Sequence, residues 1–258
     1  MKYDIRQAAQ ALISQLKAID YERLPISKYN KRYIARLKPV LSYYMKIYAD
    51  CLLKGLESIG SSPEEITLID YGGGSGFLSI LAKQAGIGRV IYIDLNPDSV
   101  DTIRILKELV NTGPDIILHG DSDTLADWCS ANKVKPQLLI ATDLIEHVYD
   151  LSAFFANLVA IDNKMQMLFT TASTPFNPYV KRRLHRLMTI WEKEYYALRL
   201  HYIQLHFPAL SPAEAKEAAR KTRGLTFPHI HETGIGQNAS YPSKHIARWQ
   251  NLSVIKSG

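Results

Sequence analysis

Short apolar runs alternate with helix-like stretches through the middle of the chain. The runs are ITLIDYG (66–72), RVIYIDL (89–95), DIILHGD (115–121), QLLIATD (137–143) and MQMLFTT (165–171). Their near-continuous apolar character predicts strands covered on both faces of a sheet. Helix-like segments lie between them at 76–85, 98–111, 122–132 and 150–160. In the second of these, Val100, Ile103, Leu106 and Val110 form a core-facing stripe. Strands that alternate with helices imply right-handed crossovers and a parallel, doubly wound α/β sheet.

The flanks read differently. Ile5, Ala8, Leu12 and Leu16 predict a helix over residues 1–19. Residues 28–58 predict a long helix that Pro39 kinks or splits. Tyr29, Tyr33, Tyr43, Tyr44 and Tyr48 fall in this region, as amphipathic packing or as one wall of a pocket. Beyond Thr171 the alternation stops. Residues 176–207 predict one or two helices, and 211–221 another, capped by Ser211 with Pro212 and Glu214 completing the signature. Residues 224–243, rich in Gly, Pro, His and Asn, read as a loop, and 243–252 as a helix. This divides the chain into a helical cap (1–60), a core (61–173) and a helical insertion or lid with a terminal helix (174–258).

Composition narrows the setting. The 258 residues are 47% hydrophobic and 22% charged, with two cysteines far apart. This excludes a disulfide framework and a zinc ribbon and points to a reducing cytoplasm. No apolar stretch approaches the roughly 18 residues of a membrane span. The net charge of +6 is concentrated at Lys181, Arg182, Arg183, Arg186, Lys193 and Arg199. These residues make either a solvated helix face or a surface attractive to an anionic substrate, nucleic acid or membrane.

The chemistry starts at the end of the first strand, in DYGGGSG (70–76). Glycines there allow a tight turn and bring a ligand close to the backbone. No Lys-Ser or Lys-Thr follows, which excludes a nucleoside triphosphate loop, and the dinucleotide spacing G-x-G-x-x-G is absent. What is present is Asp70-x-Gly72-x-Gly74-x-Gly76, with Gly73 inside it. Asp94, followed by Leu95, ends the second strand; Asp121 and Ser122 follow the third; Asp143 ends the fourth, in ATDLIEHVYD.

This ordered set resembles class I S-adenosylmethionine-dependent methyltransferases over residues 66–173. The stretch after the fourth strand is similar to the E-x-x-E-H-V signature of the ubiquinone-biosynthesis-like group, with Asp143 replacing the first Glu. The resemblance implies S-adenosylmethionine as cofactor. Asp70 and the glycine loop would take its amino-acid part, Asp94 the ribose hydroxyls, Leu95 the adenine face, and Asp121 and Ser122 the adenine amine, with Asp143 beside them. One departure is expected: the final strand pair of that fold is missing or severely shortened.

Methyl transfer from a sulfonium mainly needs alignment, exclusion of water and a deprotonated nucleophile. His147 is the candidate base, with Glu146 beside it and His231 on the far segment. A divalent metal, less favoured, would use Asp143, Glu146, His147, His229 and His231. The acceptor reads as a small molecule, anionic or aromatic. RNA is the less favoured acceptor, since no RNA-binding module is present. A cofactor-binding partner module without catalysis and a nicotinamide oxidoreductase are the competing classes. Residues 224–243 are expected to act as a lid with hinges at Gly224, Gly234 and Gly236.

Overall fold

In the computed structural model the residues described are 5–148, 150–172, 176–223 and 227–232. The chain divides into two compact units. One is Met1–Ile145 with Ser152–Thr170; the other is Glu146–Leu151 with Thr171–Gly258.

The first unit contains five parallel strands: β1 (Thr67–Tyr71), β2 (Arg89–Asp94), β3 (Ile116–His119), β4 (Leu138–Thr142) and β5 (Gln166–Thr170). Their order is β3-β2-β1-β4-β5. Strands are added to one side of β1 and then to the other, so β1 pairs in parallel with both β2 and β4. The crevice beyond the C-terminal ends of β1 and β4 is therefore the topological switch point, where doubly wound sheets bind ligands. Leu68, Ile69, Val90, Ile91, Leu138 and Leu139 have no exposed surface, as strands covered on both faces require.

The crossovers and flanks complete that unit. They are α1 (Ile5–Ala18), α2 (Lys28–Leu37), α3 (Leu41–Ile59), α4 (Phe77–Gln84), α5 (Pro97–Leu109), α6 (Ser122–Asn132) and α7 (Leu151–Ile161). The expected break at Pro39 is present: a short 3₁₀ turn, Lys38–Val40, separates α2 from α3. Ile5, Leu12 and Leu16 of α1 and Met45 and Leu52 of α3 join the same apolar cluster as Leu68, Leu81 and Val90. A buried hydrogen bond from Asn30 Nδ2 to Thr102 Oγ1 (2.8 Å) fastens α2 to α5.

The second unit contains one long helix, α8 (Pro178–His206), followed by α9 (Pro212–Lys221) and α10 (Phe227–Glu232). The segment 176–207 is thus a single helix after Asn177, whose side chain caps the amides of Tyr179 and Val180. The capping box of α9 forms as its sequence requires, between Ser211 and Glu214. Residues 227–232 correct the expectation of a loop over 224–243. Ile230 is fully buried against Ile203, Ala215, Ala218 and Ala219, and Phe227 stacks on Tyr202 at 4.3 Å. This burial outweighs the poor local propensity of Pro228 and the two histidines. The remainder of the expected lid and the helix at 243–252 lie outside the described residues. No strand follows β5 among the described residues.

Candidate functional site

The glycine loop is built by three neighbours. The amides of Gly72 and Gly73 donate to the Ile93 carbonyl of β2, at 2.8 and 3.3 Å, and Gly76 N donates to Gly73 O at 2.8 Å. The Gly74 amide donates to Asp94 Oδ2 at 2.8 Å, and the Tyr92 hydroxyl donates to the Gly74 carbonyl at 2.7 Å. A turn is thereby held over the end of β1 by the end of β2.

Two glycines show why side chains are excluded. A Cβ on Gly76 (φ +75°) would lie 2.1 Å from Ile103 Cδ1, so this position is closed by packing as well as by left-handed backbone. A Cβ on Gly74 (φ +54°) would meet nothing within 4 Å. The backbone of Gly74 faces open space beside Asp94, which is the arrangement a ligand cradle needs.

The carboxylates divide into two kinds. Asp70 is 1% exposed and accepts from both the amide (3.0 Å) and the hydroxyl (2.7 Å) of Ser79 on α4. Burial pushes its carboxyl up to about 7, against the opposing pull of Ser79. Asp94 is half-buried and accepts from Asn96 N (2.8 Å) as well as Gly74 N. Its pKa is raised, again by burial first, with the two amides opposing. Leu95, next in the chain, is 42% exposed.

Asp121 caps α6, accepting from the amides of Asp123 and Thr124 at 3.2 Å each and from the Thr124 hydroxyl at 3.3 Å. Ser122 is buried and accepts from Asn157 Nδ2 at 3.0 Å. Asp143 is exposed and left-handed (φ +51°), and its amide donates to Thr170 O at 3.0 Å. A non-glycine residue in that conformation is strained, a frequent property of functional positions.

Tyrosines from α2 and α3 belong to the same neighbourhood. Tyr29 and Tyr33 stack at 6.4 Å, Tyr43 meets Tyr44 edge-on at 5.6 Å, and Tyr44 lies 6.4 Å from Tyr48. Burial pushes the Tyr33 phenol up to about 12, with the fields of Asp143 and Asp94 adding to it. Tyr48 is raised by burial too, and feels Tyr33, Asp70 and Asp143. Tyr33 and Tyr48 thus lie close enough to the strand-end acids to feel their charge.

The remaining candidates lie in the second unit. Glu146 and His147 occupy a single 3₁₀ turn, Ile145–His147; His147 is exposed, and one buried Glu146 oxygen has no hydrogen-bond partner. His231 Nε2 is 2.8 Å from the Tyr202 hydroxyl and packs edge-on to His206, which ties α10 to α8. His229 lies on α10. No group of three metal-ligating side chains occurs among the described residues.

Residues that sequence reasoning did not place at the site are Tyr92, Ser79 and Asn96. Tyr92 looks like ordinary strand filling, and only its hydroxyl's bond to Gly74 reveals its role. Ser79 has the one detectable signal, since a polar residue on the buried face of α4 needs a partner.

No protein-family model matches the chain. Among curated proteins it is similar to the ribosomal protein L11 methyltransferase of Burkholderia mallei (strain NCTC 10229). The two are 55% identical over 38 residues, 15% of this chain and 13% of that protein. The ribosomal protein L11 methyltransferase of Shewanella sp. (strain W3-18-1) is 30% identical over 115 residues, 45% of this chain and 36% of that protein. The matched segments thus span little more than a third of these relatives at most. Among solved structures, the ribosomal protein L11 methylase of Lactobacillus delbrueckii subsp. bulgaricus aligns with TM-score 0.36 and 18% identity. That alignment covers 54% of this chain and 65% of the other.

Proposed function

We propose that this chain is an S-adenosylmethionine-dependent methyltransferase. The observation that carries the reading is the Gly74 cradle: an open, left-handed glycine whose amide is fixed by Asp94, at the switch point of a parallel sheet. The residues present fit that cofactor. It has no pyrophosphate needing a helix N-terminus, but it has an ammonium that favours Asp70 and ribose hydroxyls that suit Asp94. Leu95 supplies an exposed apolar surface for adenine. Sequence likeness to named methyltransferases supports the same reading.

When bound, the cofactor supplies an electrophilic methyl carbon on a sulfonium. The chain's own part is alignment and exclusion of water. Gly72–Gly76 orients the cofactor's amino-acid end. Tyr33, Tyr44 and Tyr48, close enough to the strand-end acids to feel their charge, are the residues we assign to the acceptor wall. His147, which follows β4 in sequence, is the proposed base that takes the acceptor's proton, with Glu146 as its neighbour.

The acceptor is a small molecule in the first reading. A protein side chain is the second, favoured by the similarity to ribosomal protein L11 methyltransferases. Calorimetry with S-adenosylhomocysteine should show saturable binding. Asp94→Ala should weaken it about tenfold or more, since a hydrogen bond to a charged group contributes roughly 1.5–3 kcal/mol. Absence of binding by the intact protein would overturn the proposal. Labelled methyl transfer to a metabolite extract, compared with transfer to ribosomal protein L11, separates the two acceptors.

A further inference from the structure

The N-terminal half of α8 is unlike any other helix described. Helix α8 is rooted at its C-terminal half. There Arg199 and Ile203 are buried, and Tyr196, Leu200 and Tyr202 pack with Ala215, Ala218 and Ala219 of α9. From Pro178 to Trp191 no residue is buried. At 1.5 Å per residue this half extends about 20 Å beyond the packed half.

Its sequence is nonetheless strongly ordered around the helix. Val180, Leu184, Leu187, Met188 and Trp191 recur at i, i+4, i+7, i+8 and i+11, which places them on one stripe. Lys181, Arg182, Arg183, His185 and Arg186 occupy the rest of the circumference, and no Asp or Glu occurs between 178 and 191. Within the stripe Met188 and Trp191 are 44% and 45% exposed, and Val180, Leu184 and Leu187 are half-buried; beside it Tyr179 is 86% and Ile190 48% exposed. A solvated helix would not need the stripe, and a helix packed within a core would not carry Lys181, Arg182, Arg183 and Arg186 within about two turns.

We propose that residues 178–191 are a docking helix for an anionic lipid surface. A negatively charged bilayer surface satisfies both features at once. The apolar stripe enters the boundary between headgroups and acyl chains, while Lys and Arg stems extend their charges to the lipid phosphates. Charge decides against the alternatives. Two copies of the chain pairing along this face would bring like-charged helices together. A nucleic acid backbone would use the cations and leave the stripe of Val180, Leu184 and Leu187 in water. Docking of this kind lies on the surface and involves no membrane crossing, in accord with the absence of a long apolar helix among the described residues.

The test is co-sedimentation of the full chain with vesicles. One set is phosphatidylcholine alone and the other is phosphatidylcholine mixed with phosphatidylglycerol. Binding to the mixed vesicles only, weakened by salt, is expected. The triple variant Arg182→Glu, Arg183→Glu, Arg186→Glu should lose binding at least about a hundredfold, given the contribution of each cation near a charged surface. Leu184→Asp with Leu187→Asp should abolish it, while Arg→Lys at the same three positions should retain it. The three arginines are exposed and the two leucines half-buried; circular dichroism and S-adenosylhomocysteine affinity matching the parent chain confirm that each variant stays folded. Equal binding to both vesicle types would overturn the proposal. So would binding to an RNA oligonucleotide without vesicle binding, or self-association that disappears in the Leu184→Asp, Leu187→Asp variant. Each of these results is independent of whether the chain transfers methyl groups.

Discussion

Asp70 in the sheet unit and Arg199 in the helical unit are both buried ionisable groups, and the two units accommodate them in opposite ways. Asp70 is held by the amide and hydroxyl of one serine and is pushed toward its neutral form. Arg199 pairs with Glu192 and donates Nε–H to the Ala219 carbonyl at 3.1 Å. The sheet unit has a large apolar core around it, from Leu12 to Ile140, and does not depend on its acid for cohesion. Among its described residues the helical unit has a small core of Ile203, three alanines and Ile230, so the buried Arg199–Glu192 pair is a structural member. A polar group in a well-filled core is thus available for tuning; in a sparse core it is required.

That contrast predicts the largest effect at Arg199. Arg199→Ala leaves Glu192 without its closest partner among the described residues, with the more exposed Arg223 at 3.3 Å. It should cost the helical unit about 3–5 kcal/mol. Hydrogen exchange across 178–232 should accelerate while β1–β5 stay protected. Unchanged exchange in α9 would remove the contrast.

The next test concerns pH. An unfolded chain loses the Asp70 proton near the ordinary carboxylate pKa of about 3.9, whereas the folded chain holds it to about 7. Between those values the folded state binds more protons, so Asp70 makes stability fall as pH rises, by on the order of 1 kcal/mol per pH unit. Its contribution is flat below and above that window. Denaturant midpoints for Asp70→Asn should lose this slope. A variant with the parent's pH profile would show that Asp70 ionises freely when folded.

The smallest effect is expected at the start of α9. Ser211→Ala removes the acceptor for the Glu214 amide, 3.3 Å away, and should cost about 1 kcal/mol. Because α9 supplies Ala215, Ala218 and Ala219 to the sparse core, the loss should appear in α10 exchange as well. An effect confined to the first turn of α9 would mean that α10 is held independently of it.

Much of this was legible in the sequence because local and global signals agree through the sheet unit. Apolar runs gave β1–β5 to within a residue or two. Pro39 marked the break between α2 and α3, and Asp70, Asp94 and Asp143 stand at or just beyond the ends of β1, β2 and β4. Two things were not legible. Phe227–Glu232 is helical because Ile230 and Phe227 find partners on α8 and α9, a tertiary effect that no window of Pro, His and Gly encodes. The buried state of Arg199 was hidden among neighbouring cations of the same sequence texture, and only the fold separates it from Arg182 and Arg186. At the site, the glycine spacing was readable, but the Tyr92 bond to Gly74 and the Ser79 clamp on Asp70 depend on register between distant segments.

The strand order also has a consequence for the chain as it is synthesised. The middle strand, β1, can pair with β2 early, but its other edge is completed only by β4. The Thr67 amide takes its partner from Gln137, 70 residues later. At about 5–20 residues per second, translation leaves that edge open for several seconds. During this interval the middle strand of the nascent sheet has one unpaired side. Codon-level slowing between β2 and β4 should lower soluble yield, whereas slowing after β5 should not.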